Sequence, residues 1–210
     1  MHPSTRHSAA EVHARAARGD YASESEVEDL VRTHLHTPYA YPALREKLED
    51  SAEKVIQDYI QDNEALFANI EFSEKQVEIS LGEGINVTGR IDLVRRLDTD
   101  ETTVVDLKSS DRAQPEEVTE TQLHIYALGY EELTGRRADY VEIYELEERK
   151  RKPRSVDDDF IDDVKRKIRD AALALRKSDL PPVTAPAKCG KCDYRGMCSC
   201  GAQTLAALIP

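Results

Sequence analysis

The chain has 210 residues, 41 Asp and Glu against 29 Lys and Arg, a net charge of −12 and a pI near 5.0. That length suits one domain with a core of ordinary size. No run of 18 apolar residues occurs and the start MHPSTRHSAA lacks an apolar signal core, which excludes a membrane partner and leads us to expect a cytoplasmic protein. So acidic a chain is not a general polyanion binder, so any DNA contact must come from local charge.

The first section reads as helical, over Pro3 to Arg18, Ser23 to His36 and Tyr41 to Asn63, with a Thr-Pro-Tyr-Ala-Tyr-Pro turn before the third helix. Strands follow at Glu74–Leu81, Val87–Leu97 and Thr102–Leu107, the first two joined by a Gly82-Glu-Gly84 turn. Leu123, Ala127 and Tyr130 repeat at helical spacing within a helix from Glu116 to Leu133. A strand at Tyr140–Leu146 and a helix at Asp157–Lys177 complete the order. The basic run Arg149 to Arg154 reads as either a solvated loop or a DNA contact. The predicted division is residues 1–180 as one domain, with a helical section 1–72 and a core 73–180, then a linker and tail at 181–210. Pro181 to Pro186 is a short stiff linker.

The chemistry gathers between Gly89 and Tyr126. The two strands carry one acid each, Asp92 and Asp106, and Lys108 follows two positions after the second. Strand side chains alternate faces, so Asp106 and Lys108 project to one side and Leu107 to the other. A hairpin across Asp98–Glu101 would bring Asp92 close to Asp106, and two carboxylates that close repel unless a cation joins them. Oxygen donors of this kind suit a hard ion, Mg2+ or Mn2+, and the Leu107 carbonyl could complete the shell. Gln122 and Tyr126 are four apart and share a helical face. Taken singly, each of these features is common on ordinary surfaces; their ordered conjunction is what carries meaning. A phosphate loop is absent, because Gly84-x-x-x-x-Gly89-Arg lacks the lysine and hydroxyl.

GRID, then Asp-Leu-Lys, then Gln-x-x-x-Tyr resembles the PD-(D/E)XK nuclease superfamily in its RecB-type branch. The resemblance implies an α/β fold: a restriction-endonuclease-like core with a mixed central sheet flanked by helices, an N-terminal helical section and a Cys-rich metal-binding tail. It also implies a metal-dependent deoxyribonuclease, an exonuclease of DNA repair or recombination, with Asp92 and Asp106 as ligands. Lys108 would sit at the phosphate, supported by Gln122 and Tyr126. A superfamily-1 helicase on the same or a partner chain would be its companion. Relatives often add a histidine to the metal from the first helix; His7 is the nearest match, with His13, His2, His34 and His36 as competitors. The usual glycine before that histidine is missing.

Cys189, Cys192, Cys198 and Cys200 lie within twelve residues, and in a reducing compartment that spacing points to metal rather than disulfides. It resembles the tail of RecB-type nucleases that hold a 4Fe-4S cluster with an upstream fourth cysteine, but no upstream cysteine occurs here. Zn2+ or no metal are the alternatives. A nuclease fold that has lost activity and serves as a DNA-binding or assembly module is the competing function, and a zinc-ribbon adaptor is a third.

Overall fold

A computed structural model of the chain describes residues 4–108, 116–179, 185–190 and 192–198. The chain divides into two compact units, residues 1–167 and 168–210.

The first unit opens with α1 (Ser4–Ala16), α2 (Glu24–His34) and α3 (Pro42–Phe67). The start of α2 is set by sequence: Glu26 accepts the Ser23 N–H at 2.8 Å, half of a capping box. The Ser23 hydroxyl, which donates to Glu26 at 2.6 Å, then the Ser23 N–H and Arg15 of α1, also at 2.6 Å, lower the Glu26 carboxyl pKa to about 2. Pro42 begins α3, where its missing N–H costs nothing. The helix runs on to Phe67 rather than stopping at Asn63, because Phe67 is a core residue.

A five-stranded sheet follows in spatial order β1-β2-β3-β4-β5: β1 (Ile70–Ser80), β2 (Asn86–Arg96), β3 (Thr102–Lys108), β4 (Tyr140–Glu145) and β5 (Lys150–Ser155). All neighbours are antiparallel except β3 and β4, which are parallel and joined through α4 (Glu116–Thr134). The mixed sheet is as expected. Gly82, Glu83 and Gly84 turn between β1 and β2 with φ of 77°, 51° and 70°, the left-handed region in which glycine is unstrained.

Two faces of the sheet have different partners. Leu93, Val105, Leu107 and Tyr144 pack with α1, α2 and α3, through Val12, Val31, Ile56 and Tyr59. Val77 of β1 lies beneath Gly129 of α4, where a built Cβ would stand 2.7 Å from Val77 Cγ2. The helical face also buries polar groups. His13 Nε2 pairs with Tyr59 OH at 2.7 Å, and Arg95 and Arg151 converge on Glu142 at 2.7 and 3.0 Å.

From Lys150 onward the basic run is strand β5 and not a loop, with Arg149 in the turn before it. Charged edge strands resist pairing with other chains, and Pro153 is tolerated there. Each of its cations has an acid: Arg149 pairs with Asp58 and Asp62, Lys150 with Glu148, Arg151 with Glu142, Lys152 with Glu145 and Arg154 with Glu120. β1 begins four residues earlier than expected, at Ile70, which pairs with Arg95.

α5 (Asp158–Arg176) starts in the first unit, burying Ile161 and Val164. In the second unit, α6 (Pro186–Gly190) begins at the last residue of the expected linker and carries Cys189 of the tail. Among the described residues no helix is long and apolar enough to cross a membrane.

Candidate active site at a fork between two strands

β2 pairs with β3 from Arg96↔Thr102 only as far as Leu93↔Val105. Beyond that point β2 follows β1 to Asn86, whereas β3 follows β4 to Lys108↔Glu145. The sheet therefore splits into a fork at the next position on each strand, which is Asp92 on β2 and Asp106 on β3. Asp92 Oδ2 bridges the fork by accepting the Leu107 N–H at 3.0 Å, replacing a ladder bond that the divergence removes. In a strand the N–H and C=O of one residue point to the same edge, so the Leu107 carbonyl also faces the fork.

Both acids are buried, at 2% and 0% exposure. Lys108 Nζ lies 2.8 Å from Asp106 Oδ2, as expected of i and i+2 on one strand. The ammonium also donates to Gln122 Oε1 at 2.7 Å, and Gln122 Nε2 donates to Tyr126 OH at 2.6 Å. A single line of contacts thus runs from β3 to α4, and the i, i+4 spacing supplies its last two members. Gly89 lies against the Tyr126 ring: a built Cβ there would stand 3.6 Å from Cε1. All three motif segments meet at this place.

Two buried carboxylates side by side repel one another, and a cation shared between them relieves that cost. Asp92, Asp106 and the Leu107 carbonyl form an oxygen donor set that fits a hard divalent cation. Mg2+ in particular binds through one or two carboxylates and keeps the remaining positions for water and phosphate. Lys108 has three donors; one goes to Gln122, and the ammonium faces Asp106 as an ion pair.

Among the described residues no three His, Cys, Asp or Glu side chains converge, so the structure does not bring His7 to the two acids. His7 is exposed, and its ring stacks on His34 of α2 at a centroid distance of 6.0 Å. His13 lies on the helical face of the sheet, where burial and then Arg95 lower its pKa to about 3. In the second unit Cys189 is buried, Cys192 exposed and Cys198 partly buried; they form no three-residue metal group, and Cys200 lies outside the described residues. Sequence reading missed Glu145, which β4 places beside Lys108 in register, held by Lys152 at 2.8 Å. Only the β3–β4 register reveals it, and no local signal in Tyr140–Leu146 does.

A model of the PD-(D/E)XK nuclease superfamily matches residues 4–199. The chain belongs to this superfamily. Among solved structures, this superfamily member is similar to SSO0001, at 15% identity and a TM-score of 0.42, over 84% of this chain and 93% of that one. It is also similar to a protein of Eubacterium rectale described as a candidate exonuclease, at 12% identity and a TM-score of 0.44, over 90% and 86%. No curated protein matches the chain by sequence.

Proposed function

We propose that the chain is a metal-dependent deoxyribonuclease of the RecB type, acting as an exonuclease in DNA repair or recombination beside a superfamily-1 helicase. The observation that carries hydrolysis is the fork itself: two buried acids, a lysine held between an acid and an amide, and a carbonyl facing the same gap. The RecB assignment and the helicase companion rest on the order of GRID, Asp-Leu-Lys and Gln-x-x-x-Tyr and on the cysteine spacing of the tail.

Asp92, Asp106 and the Leu107 carbonyl would hold Mg2+ or Mn2+, which when bound polarises phosphoryl oxygens and acidifies water. Lys108 would offer its remaining N–H groups to the scissile phosphate and stabilise the charge that develops as the phosphodiester is attacked. Gln122 fixes the direction of that ammonium. Tyr126 in turn fixes the amide, so that its oxygen and not its nitrogen faces Lys108.

Cleavage of end-labelled linear and nicked DNA with Mg2+ or Mn2+ tests this. Asp106→Ala should abolish cleavage while DNA binding and the circular dichroism spectrum persist. Lys108→Ala should slow cleavage on the order of a hundredfold or more, by analogy with loss of one preorganised donor. Release of mononucleotides from one labelled end identifies an exonuclease. If the wild type cuts nothing, or Asp106→Ala cuts equally well, the fold acts as a binding or assembly module instead.

A further inference from the structure

Helix α4 faces the fork on one side and α5 on another. Gln122 and Tyr126 reach toward Lys108, and His124, midway between them, lies about 200° round the helix. Its ring stands 3.8 Å from Phe160 of α5, centroid to centroid, with the planes tilted by 51°. His124 is 8% exposed, and both ring nitrogens are buried without a hydrogen-bond partner among the described residues. A neutral imidazole offers one donor and one acceptor, and polar groups left unpaired in an interior are rare because each forfeits its bonds to water. A phenyl ring would fill this place without that cost; what the imidazole can add is a proton.

The charges around the ring already have partners of their own. Those that face it are Glu120 of α4, Arg154 of β5, and Asp163 and Lys167 of α5. Glu120 pairs with Arg154 at 2.7 Å and Asp163 with Lys167 at 2.7 Å, so each carboxylate that could draw in an imidazolium stands beside a cation that repels it. Burial first, and Lys167 next, hold the His124 pKa below its ordinary 6.5. Across the contact, α5 from Asp158 to Lys167 is held through Phe160 and the buried Ile161 and Val164. Its ion pair to Arg137 leaves the Asp158 side chain 86% exposed, and a pair so open to solvent adds little.

We propose that His124 and Phe160 form a proton-operated latch: the neutral ring holds the first half of α5 against α4, and protonation releases that half-helix, because a charged ring needs water that the closed contact denies it. Release uncovers the back of the helix that presents Gln122 and Tyr126, so the fork loses support in acid. The closed ring binds a proton less readily than a free one. As pH falls below about 6.5 the released state therefore gains the extra proton, and the opening equilibrium rises by up to about tenfold per pH unit until the closed ring is protonated too. The latch uses no fork residue; only its consequence for cleavage rests on the nuclease reading.

Hydrogen exchange of the full chain, read by mass spectrometry near pH 7.5 and near pH 5 and corrected for the intrinsic pH dependence of amide exchange, measures the opening. Near pH 5, peptides covering residues 158–167 should lose protection about tenfold or more relative to peptides of β3; the ratio separates the latch from any loosening of the whole fold through His13. His124→Phe keeps a buried ring and removes the proton, so its ratio should be the same at both pH values. Equal loss in wild type and His124→Phe, or no loss in the wild type, would overturn the latch, and an ordinary core histidine gives the second result. Should His124→Phe fail to fold, the wild-type ratio and the NMR titration of the His124 ring still decide: a ring that titrates near 6.5 while residues 158–167 stay protected refutes the latch. The two readings fail separately. A protein that cuts no DNA at any pH but shows the ratio loses only the nuclease, whereas cleavage with an unchanged ratio removes only the latch.

Discussion

Gly129→Ala tests how closely α4 must lie on the sheet for the fork to work. In an open helix interior this change stabilises by about 0.8–1.0 kcal/mol. Here the new Cβ would lie 2.7 Å from Val77 Cγ2 and 3.1 Å from Val77 Cβ, whereas carbon atoms pack at about 3.5–4.0 Å. α4 must therefore lift from β1 by most of an ångström, and overpacking of this kind costs about 1–3 kcal/mol. The clash outweighs the propensity gain, giving a net loss of roughly 0–2 kcal/mol. The same displacement carries Gln122, with the Tyr126 it bonds on the same helix, away from Lys108, to which it is joined at only 2.7 Å, so cleavage should fall more than stability does. Urea denaturation and a Mg2+-dependent cleavage rate measure both effects. Adding Val77→Ala removes the nearest atom and should recover part of the activity, a favourable coupling between neighbours. A Gly129→Ala protein that is more stable by the full helical gain and cuts normally would refute the close packing of α4 on Val77.

His13 should make the fold acid-sensitive. Its folded pKa of about 3 lies below the ordinary 6.5, so between those values the unfolded chain binds a proton that the folded chain does not. Stability should drop by up to roughly 1.4 kcal/mol per pH unit as pH falls below about 6.5, and His13→Gln, which can still meet Tyr59, should flatten that slope in melts from pH 7 to 4. An equal slope in both proteins would place the acid sensitivity elsewhere. If the tail chelates a metal, Cys192→Ala should release it and lower the melting temperature; unchanged metal content and melting would leave the cysteines as reduced thiols.

The fork was legible because each of its parts has a local period. Alternation put Asp106 and Lys108 on one face and Leu107 on the other, and a four-residue step put Gln122 beside Tyr126. Their meeting could be inferred only through the hairpin, and the register from Arg96↔Thr102 to Leu93↔Val105 places Asp92 and Asp106 as that hairpin requires. What escaped depends on neighbours distant in sequence. β5 has no apolar alternation, since Lys150 to Ser155 is an edge held by side-chain charge and a ladder to β4. Glu145 acquires its place beside Lys108 from a parallel pairing made across α4. The histidines of α1 could not be told apart by spacing, because burial separates them: His13 is enclosed by Tyr59 and Phe67, whereas His7 remains exposed.

The acidity of the chain acquires a physical explanation at β5. Glu120, Glu142, Glu145 and Glu148 face that strand's cations, Asp58 and Asp62 face Arg149 in the turn before it, and Arg95 uses Glu142 a second time in the buried interior. These acids hold an edge strand and a helix in place, so a basic run in sequence becomes an electrostatically quiet strip in the fold. A polyanion gains little from charges already paired. Any attraction for a polyanion would then come from cations outside that strip. An acidic nuclease of this design would hold its substrate by a few short contacts near the chemistry, not by the broad field of a basic surface.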